Sequence, residues 1–151
     1  MERNSGKRIG LFLVFLLVAA TVFATLHFSK TEKPEEGTVS LYYHGKQERI
    51  LISNLPLEPV EGIRVNGKGE EIKIEGEGIL LSRLLSDYKV EEYVTVKLTA
   101  SDSYSATVTK EEIEEPQKVY LLWEEDGLRL VVFGDPDSKR SVSEIVQISV
   151  E

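Results

Sequence analysis

The order of hydrophobic and polar residues divides the chain into two parts. Residues 9–28 read IGLFLVFLLVAATVFATLHF and contain no Asp, Glu, Lys or Arg. From residue 38 onward, apolar and polar residues mostly alternate with a period of two. An apolar run of about 20 residues is long enough to cross a bilayer as a helix, whereas alternation is typical of strands with one buried face. The pattern therefore predicts a membrane helix followed by a mostly β domain.

Two hairpins are predicted in the first half of that domain. In each, two alternating segments stand on either side of residues that favour turns, and Asn-Gly in particular is a preferred pair for a tight turn with positive φ. The first hairpin is Val39–Tyr43 and Ile50–Ile52 around His44-Gly45, and the second is Ile63–Val65 and Ile72–Ile74 around Asn66-Gly67-Lys68-Gly69.

The second half of the domain predicts one short helix, further strands and a brief helical turn. Leucines at helical spacing predict an amphipathic helix over Leu80–Tyr88, and Thr109 with Glu112 three residues later has the form of a helix N-cap. The predicted strands are Tyr93–Leu98, Tyr104–Val108, Val119–Trp123, Leu128–Phe133 and Ile145–Val150. The predicted fold class is therefore α+β, mostly β.

Basic residues before the apolar run set its predicted orientation. Arg3, Lys7 and Arg8 precede it, and such residues remain in the cytoplasm. We therefore expect a cytoplasmic tail at 1–8, a transmembrane signal anchor at 9–28 that contacts the lipid bilayer, a linker at 29–37 and an extracytoplasmic domain at 38–151. The expected location is the cell membrane, as a single-pass protein.

Cleavage of the apolar segment is the alternative to anchoring. Val22-Phe23-Ala24 has the small residues that a signal peptidase recognises, and cleavage near Ala24 would give a secreted domain. The run is longer than a usual signal core and continues past Ala24 through Leu26 and Phe28, which favours the uncleaved anchor.

Composition excludes several classes of function. The chain has no cysteine, so disulfides, thiolate metal sites and cysteine nucleophiles are excluded. From residue 38 onward it has 13 lysines and arginines against 22 aspartates and glutamates, a net charge of −9. Such a domain repels nucleic acid and anionic lipids. The acidic charge serves solubility or, alternatively, docking of a basic partner.

The second half of the domain resembles a known family. Gly78-Ile79-Leu80-Leu81-Ser82-Arg83-Leu84-Leu85, Ser101-Asp102-Ser103-Tyr104-Ser105-Ala106 and Leu128-Arg129-Leu130-Val131-Val132-Phe133-Gly134 occur in the order found in sulfite-oxidase-type molybdopterin-binding domains. The resemblance covers about residues 78–151. It implies a mixed α+β fold with much β structure and, by analogy only, a place in an envelope complex.

The departures from that family bear on its chemistry. Family enzymes hold the metal through a cysteine thiolate, which this chain lacks, and other residues cannot replace a soft thiolate without changing the chemistry. Ser103 stands where the family has Gly, and Phe133 where Pro is common. We therefore expect a scaffold without its cofactor. Molybdopterin follows from the resemblance only, and we expect no metal and no catalytic residues.

Two residues are predicted to line a ligand cleft on this scaffold. Arg129 stands on an otherwise apolar strand at a family position, and Tyr104 lies in the motif that precedes it. The other candidates are weaker. His44 beside Gly45 is typical of a turn, residues 135–138 lack the further oxygen ligands of a calcium loop, and adjacent acids at 124–126 are normally solvated.

Three functions from different classes remain open. The first is a membrane-anchored protein with a non-catalytic binding or interaction domain, with an envelope protein as a candidate partner. The second is a protein that binds a small ligand or cofactor near Tyr104 and Arg129. The third is an enzyme, including an atypical molybdopterin-dependent oxidoreductase, and the sequence has no catalytic triad or metal motif to support it.

Overall fold

The structure, a computed structural model, describes residues 37–125 and 127–151. The predicted tail at 1–8, the anchor at 9–28, the cleavage position near Ala24 and all of the linker except Gly37 lie outside the described residues. Within the described ranges, no helix is long and apolar enough to cross a membrane.

The described residues form a mostly β fold of two sheets and two short helices, as the coarse fold class predicted. The first sheet has five strands in the order β2 (Lys46–Leu51), β1 (Thr38–Tyr43), β9 (Ile145–Val150), β5 (Thr95–Ala100) and β6 (Ser105–Thr109). The second has four strands in the order β3 (Glu58–Val65), β4 (Glu71–Leu80), β7 (Val119–Glu124) and β8 (Gly127–Val132).

The first sheet is mixed because the two ends of the described chain pair in parallel. Ser40 of β1 lies opposite Gln147 of β9 in a parallel register. The other pairs of this sheet are antiparallel, and so are all pairs of the second sheet. The last strand therefore lies in the middle of the first sheet, between β1 and β5.

The main core joins both sheets and both helices. Alternation along the strands sends one row of side chains from each sheet into it, which is why the period-two pattern in the sequence predicts these strands. Its fully buried members include Val39, Ile50, Leu98 and Ile148 from the first sheet and Ile79, Leu121 and Leu130 from the second.

A second core lies on the opposite face of the second sheet. Its buried members are Val60, Tyr120, Leu122 and Val131, and Ile74, Leu80 and Phe133 pack against them. This face is buried because the β3–β4 hairpin folds over it.

A close approach between β3 and the end of β8, which are not neighbours in the sheet, shows how the β3–β4 hairpin bends. Only three residues of β4, Gly78–Leu80, pair with β7. Beyond that pairing, a Cβ placed on Gly62 of β3 would lie 2.2 Å from Cε1 of Phe133, although β4 and β7 separate β3 from β8 in the sheet order. Strands three positions apart in a flat sheet would lie about 14 Å from each other. The second sheet is therefore strongly curved.

Both predicted helical segments are confirmed. Helix α1 (Leu81–Asp87) follows β4 directly and buries its leucine stripe at positions 81, 84 and 85. Helix α2 (Lys110–Glu114) begins after Thr109, whose hydroxyl accepts from the Glu112 backbone N–H at 3.4 Å, while the Glu112 carboxylate accepts from the Thr109 N–H at 3.0 Å. This reciprocal capping satisfies two N–H groups that the helix leaves free.

Both predicted hairpins are present, and one turn differs from its prediction. His44 and Gly45 have positive φ, at 47° and 74°, as a tight turn requires. In the β3–β4 loop, the Gly69 N–H donates to Asn66 O at 3.0 Å and closes a four-residue turn, but positive φ occurs at Gly69, so the positive φ predicted at Asn66-Gly67 is wrong. The side-chain oxygen of Asn66 also accepts from the N–H groups of Lys68 and Glu70.

Candidate functional site

Tyr104 and Arg129, the two residues predicted for a ligand cleft, both contact the β8–β9 loop, residues 133–144. This loop crosses from the end of the second sheet to the middle strand of the first. Its path is fixed by backbone hydrogen bonds such as Leu130 N–H to Val142 O at 2.8 Å. The interactions of Tyr104 and Arg129 therefore converge on this loop.

Arg129 holds the β7–β8 hairpin to the loop. Its Nε donates to Glu124 Oε1 at 2.6 Å, and its Nη1 lies 3.4 Å from both the carbonyl and the hydroxyl oxygen of Ser141. Arg64 is close enough that Arg129 contributes to lowering its pKa, although burial is the larger cause and Glu124 opposes both. The guanidinium of Arg129 is thus occupied by groups of the protein itself.

Tyr104 contacts the same loop two residues earlier. Its hydroxyl donates to the carbonyl of Lys139, and its backbone N–H donates to Asp102 Oδ1 at 2.8 Å. Half of the side chain is exposed. The structure therefore brings Tyr104 and Arg129 to one loop, at residues 139 and 141, and each of them fastens that loop with a hydrogen bond.

Arg140 makes the strongest set of interactions in the loop. It donates to both carboxylate oxygens of Asp135, with Nε 2.9 Å from Oδ2, and to both of Glu112, with distances of 2.9 and 2.8 Å. These hydrogen bonds raise the pKa of Arg140, Asp135 being the larger cause. We call Arg140, Asp135 and Glu112 the loop clamp, because they tie the loop to the start of α2.

The clamp changes the titration of one carboxyl group. The hydrogen bond from Arg140 lowers the pKa of Glu112, and the Thr109 N–H adds to the decrease, while partial burial opposes it. Sequence analysis missed this cluster. The signals that could have found it were the N-cap glutamate and a single Arg in an acidic loop, but their 28-residue separation hides the contact.

The acidic start of the loop is a turn. Asp135 is bound to Arg140, and Asp137 Oδ1 accepts from the Lys139 N–H at 2.9 Å while its other oxygen lies 2.9 Å from Lys139 Nζ. The ion pair lowers the pKa of Asp137 and raises that of Lys139. Across the described ranges, no group of three or more His, Cys, Asp or Glu residues is placed to hold a metal ion.

The other predicted candidates are dispersed. His44 is an exposed turn residue whose ring lies tilted against that of Tyr43, with centroids 4.1 Å apart. Tyr120 belongs to the second core and meets Phe133 edge to face at 5.7 Å, and burial raises its pKa. Tyr120 is therefore a packing residue of the second core.

The space beside the β8–β9 loop is small. A void of about 10 Å³ lies there, which is about the space that one water needs. A ligand of cofactor size does not fit in this void. The residues that line the void are Arg64, Val65, Val131, Val132, Asp135, Asp137 and Ser141.

A larger open pocket lies on the β3–β4 hairpin, where the sequence predicted only strands. Its volume is about 480 Å³. It adjoins a row of outward side chains that we call the hairpin face. The hairpin face consists of Glu61, Ile63, Glu71, Lys73, Glu75 and Glu77, all of which are exposed.

The hairpin face is acidic around one apolar side chain. Four of its six residues are glutamates, and its only cation, Lys73, is paired with Glu75. Ile63 is 57% exposed and lies directly opposite Lys73 in the strand pairing. An isoleucine on the solvent side of a strand loses the burial that favours its place in a sheet. This face therefore presents an apolar side chain among carboxylates.

Comparisons with known proteins give no further guide to the site. The chain matches no model of a known protein family, and no curated protein is similar to it at a significant level.

Proposed function

We propose that this chain is a single-pass membrane protein whose extracytoplasmic domain, residues 38–151, is a non-catalytic binding module. The apolar run at 9–28 with its basic flank supports the anchor and its orientation. We further propose that the domain is a cofactor-free variant of the molybdopterin-binding scaffold. The order of motifs from residue 78, the mostly β fold and the absence of cysteine support this proposal.

The hairpin face carries the binding proposal. Ile63 is exposed and lines an open pocket, and the nearby glutamates favour a partner with lysines or arginines around an apolar side chain. A protein segment with that composition would bury Ile63 and neutralise Glu61 and Glu71. The proposed partner is therefore a basic segment of another envelope protein.

Site-specific photocrosslinking in intact cells tests this function. A photoreactive residue at position 63 should give one discrete adduct, and the same residue at position 94 should not, although Val94 is 71% exposed. Because charge pairing steers the contact, the double variant Glu61→Lys, Glu71→Lys should abolish the adduct. The matched control Glu91→Lys, Glu92→Lys makes the same change in net charge at exposed positions elsewhere and should retain it.

Two results would contradict the proposal. Equal crosslinking from positions 63 and 94 would show that contact is unspecific. Equal loss in both charge-reversal variants would show that net charge and not the hairpin face controls it. Topology has its own test, since protease added to intact cells should digest the domain, and full protection would refute the extracytoplasmic orientation.

A further inference from the structure

The chain enters the domain at one end of the first sheet. The N–H of Ile52 donates to the carbonyl of Gly37 at 3.0 Å, and Thr38 pairs with Leu51 at the end of β2. Because β1 is parallel to β9 and β9 is antiparallel to β5, the start of β9 and the end of β5 lie at this same end. The β5–β6 turn therefore lies there too.

The β7–β8 turn of the second sheet meets the first sheet at that end. A Cβ on Gly127 would lie 3.8 Å from the Cα of Glu144, the residue just before β9. Glu144 in turn accepts from both the backbone N–H and the hydroxyl of Ser101 in the β5–β6 turn. Both sheets thus contribute to one surface around the entry of the chain.

Exposed apolar side chains concentrate on this surface. In the described ranges, five large apolar side chains are largely exposed, and three of them belong to segments that end or turn here. They are Leu51 at the end of β2, Tyr104 before β6 and Trp123 near the end of β7, with 50%, 50% and 42% exposure. We call these three residues the end face.

The three residues of the end face are widely spaced around the point where the chain enters the domain. Leu51 and Tyr104 lie on opposite edges of the five-stranded sheet, four strand spacings apart, which is about 19 Å. Trp123 belongs to the second sheet, and packed sheets are separated by about 10 Å. Tyr and Trp are the residues that favour the boundary between hydrocarbon and water, because one part of each ring is apolar and another donates a hydrogen bond.

The chain between the apolar run and Gly37 is short. Residues 29–37 can span about 30 Å at full extension, and the end at which they join the domain is the end that carries these side chains. We propose that the end face rests in the headgroup region of the bilayer that holds the anchor. This inference rests on the proposed anchoring. Since the domain has a net charge of −9, the lipids it contacts are neutral ones.

The sequence supplies its own probe, since Trp123 is the only tryptophan in the chain. The full-length protein is reconstituted singly into nanodiscs of phosphatidylcholine, or of phosphatidylcholine brominated near the headgroup. If the end face rests on the bilayer, Trp123 emission shifts to the blue and most of its intensity is lost in the brominated discs. Leu51→Asp places a charge on the end face at the edge of the first sheet opposite Tyr104, and it should reduce that loss of intensity.

A variant in which the single tryptophan is moved to another position is the matched control. The double variant Trp123→Phe, Val94→Trp places the single tryptophan at the other end of β5, where Val94 N–H donates to Glu151 O, and its emission should not be quenched. Equal quenching at both positions would overturn the proposal.

The remaining outcomes are also distinct. A solvent-like, unquenched Trp123 in protein that is incorporated into the discs would overturn the end-face contact and leave the anchor intact. A blue shift without bromine quenching would mean that protein covers the end face, which also overturns it. Failure of the full-length chain to enter the discs would refute the proposed anchoring and this inference together.

Discussion

The substitution Gly62→Ala tests the curvature of the second sheet, because the β3–β4 hairpin can fold over the second core only if position 62 has no side chain. A Cβ at Gly62 would lie 2.2, 2.6 and 2.9 Å from three carbons of the Phe133 ring. Carbon atoms in ordinary contact are about 3.5–4.0 Å apart. In Gly62→Ala, the ring must therefore move by more than about 1 Å, or β3 must lift away from it.

The cost follows from what the displaced ring touches. Phe133 packs edge to face on Tyr120, a contact worth about 0.5–1.5 kcal/mol, and forced shifts in packed cores cost about 1–3 kcal/mol. Alanine recovers about 0.5–1 kcal/mol of backbone entropy relative to glycine in a strand. We expect a net loss of about 1–3 kcal/mol in the free energy of unfolding, which corresponds to a decrease in Tm of roughly 4–12 °C.

The assay is urea denaturation of the domain, residues 37–151, followed by Trp123 fluorescence and circular dichroism. Gly76→Ala is the matched control, because Gly76 lies on the neighbouring strand and a Cβ there would meet nothing within 4 Å. In a Phe133→Ala background, Gly62→Ala should cost little or nothing, since the clash has been removed. An equal cost of Gly62→Ala in both backgrounds, or an equal cost of Gly76→Ala, would refute the curved arrangement.

Three further predictions concern the loop clamp, the helix cap and the main core. Arg140→Met should lower the free energy of unfolding at pH 7 by about 2 kcal/mol, because Glu112 and Asp135 lose their charged donor. The lowered pKa of Glu112 means that its contribution is present above the ordinary value of 4.5 and is lost as pH falls through the lowered one. Urea titrations should thus show a smaller loss with acid in Arg140→Met, and parallel pH profiles would contradict this. Thr109→Ala should cost about 1 kcal/mol by the same assay, with Thr109→Ser retaining most of the stability. Leu130→Ala, at a fully buried position, should cost about 2–5 kcal/mol, and a neutral result in thermal unfolding would place Leu130 outside the core.

Local elements were predictable because their signals lie within a few residues. The β9 strand has the predicted bounds, α1 differs by one residue at each end, and the Thr109 cap is present. Each depends on neighbours in sequence, namely alternation for a strand, leucine spacing for a helix and a hydroxyl with a following glutamate for a cap.

The arrangement of the strands was not predictable from the same signals. Alternation identifies a buried face but does not say which sheet a strand joins, so the parallel pairing of β1 with β9 has no local signature. The curvature of the second sheet depends on contact between Gly62 and Phe133, 71 positions apart in the chain. A glycine in a strand indicates a close approach without naming the partner.

The sequence selected two residues that contact the β8–β9 loop, and it identified neither the hairpin face nor the loop clamp. Tyr104 and Arg129 were selected from the sequence, and the structure brings them to one loop. What they do there depends on carbonyl oxygens of the loop, and backbone positions cannot be read from residue types. The loop clamp combines residues from α2 and the loop, so only the fold brings them together.

The polarity of β3 is the physical reason to look for a partner on the hairpin face. At positions 60 and 61 the strand has the usual pattern, in which the apolar residue, Val60, is buried in the second core and the charged residue, Glu61, is exposed. At positions 63 and 64 the polarity is reversed. The apolar Ile63 is exposed, whereas the charged Arg64 faces the charged groups of β7 and β8. Burial lowers the pKa of Arg64, and the exposure of Ile63 deprives it of the burial that favours isoleucine in a strand. Ile63 belongs to neither hydrophobic core, so folding of the described residues alone does not account for an isoleucine at this position. A surface that buries Ile63 against a partner gives the reversal a use, and this is the physical content of the binding proposal.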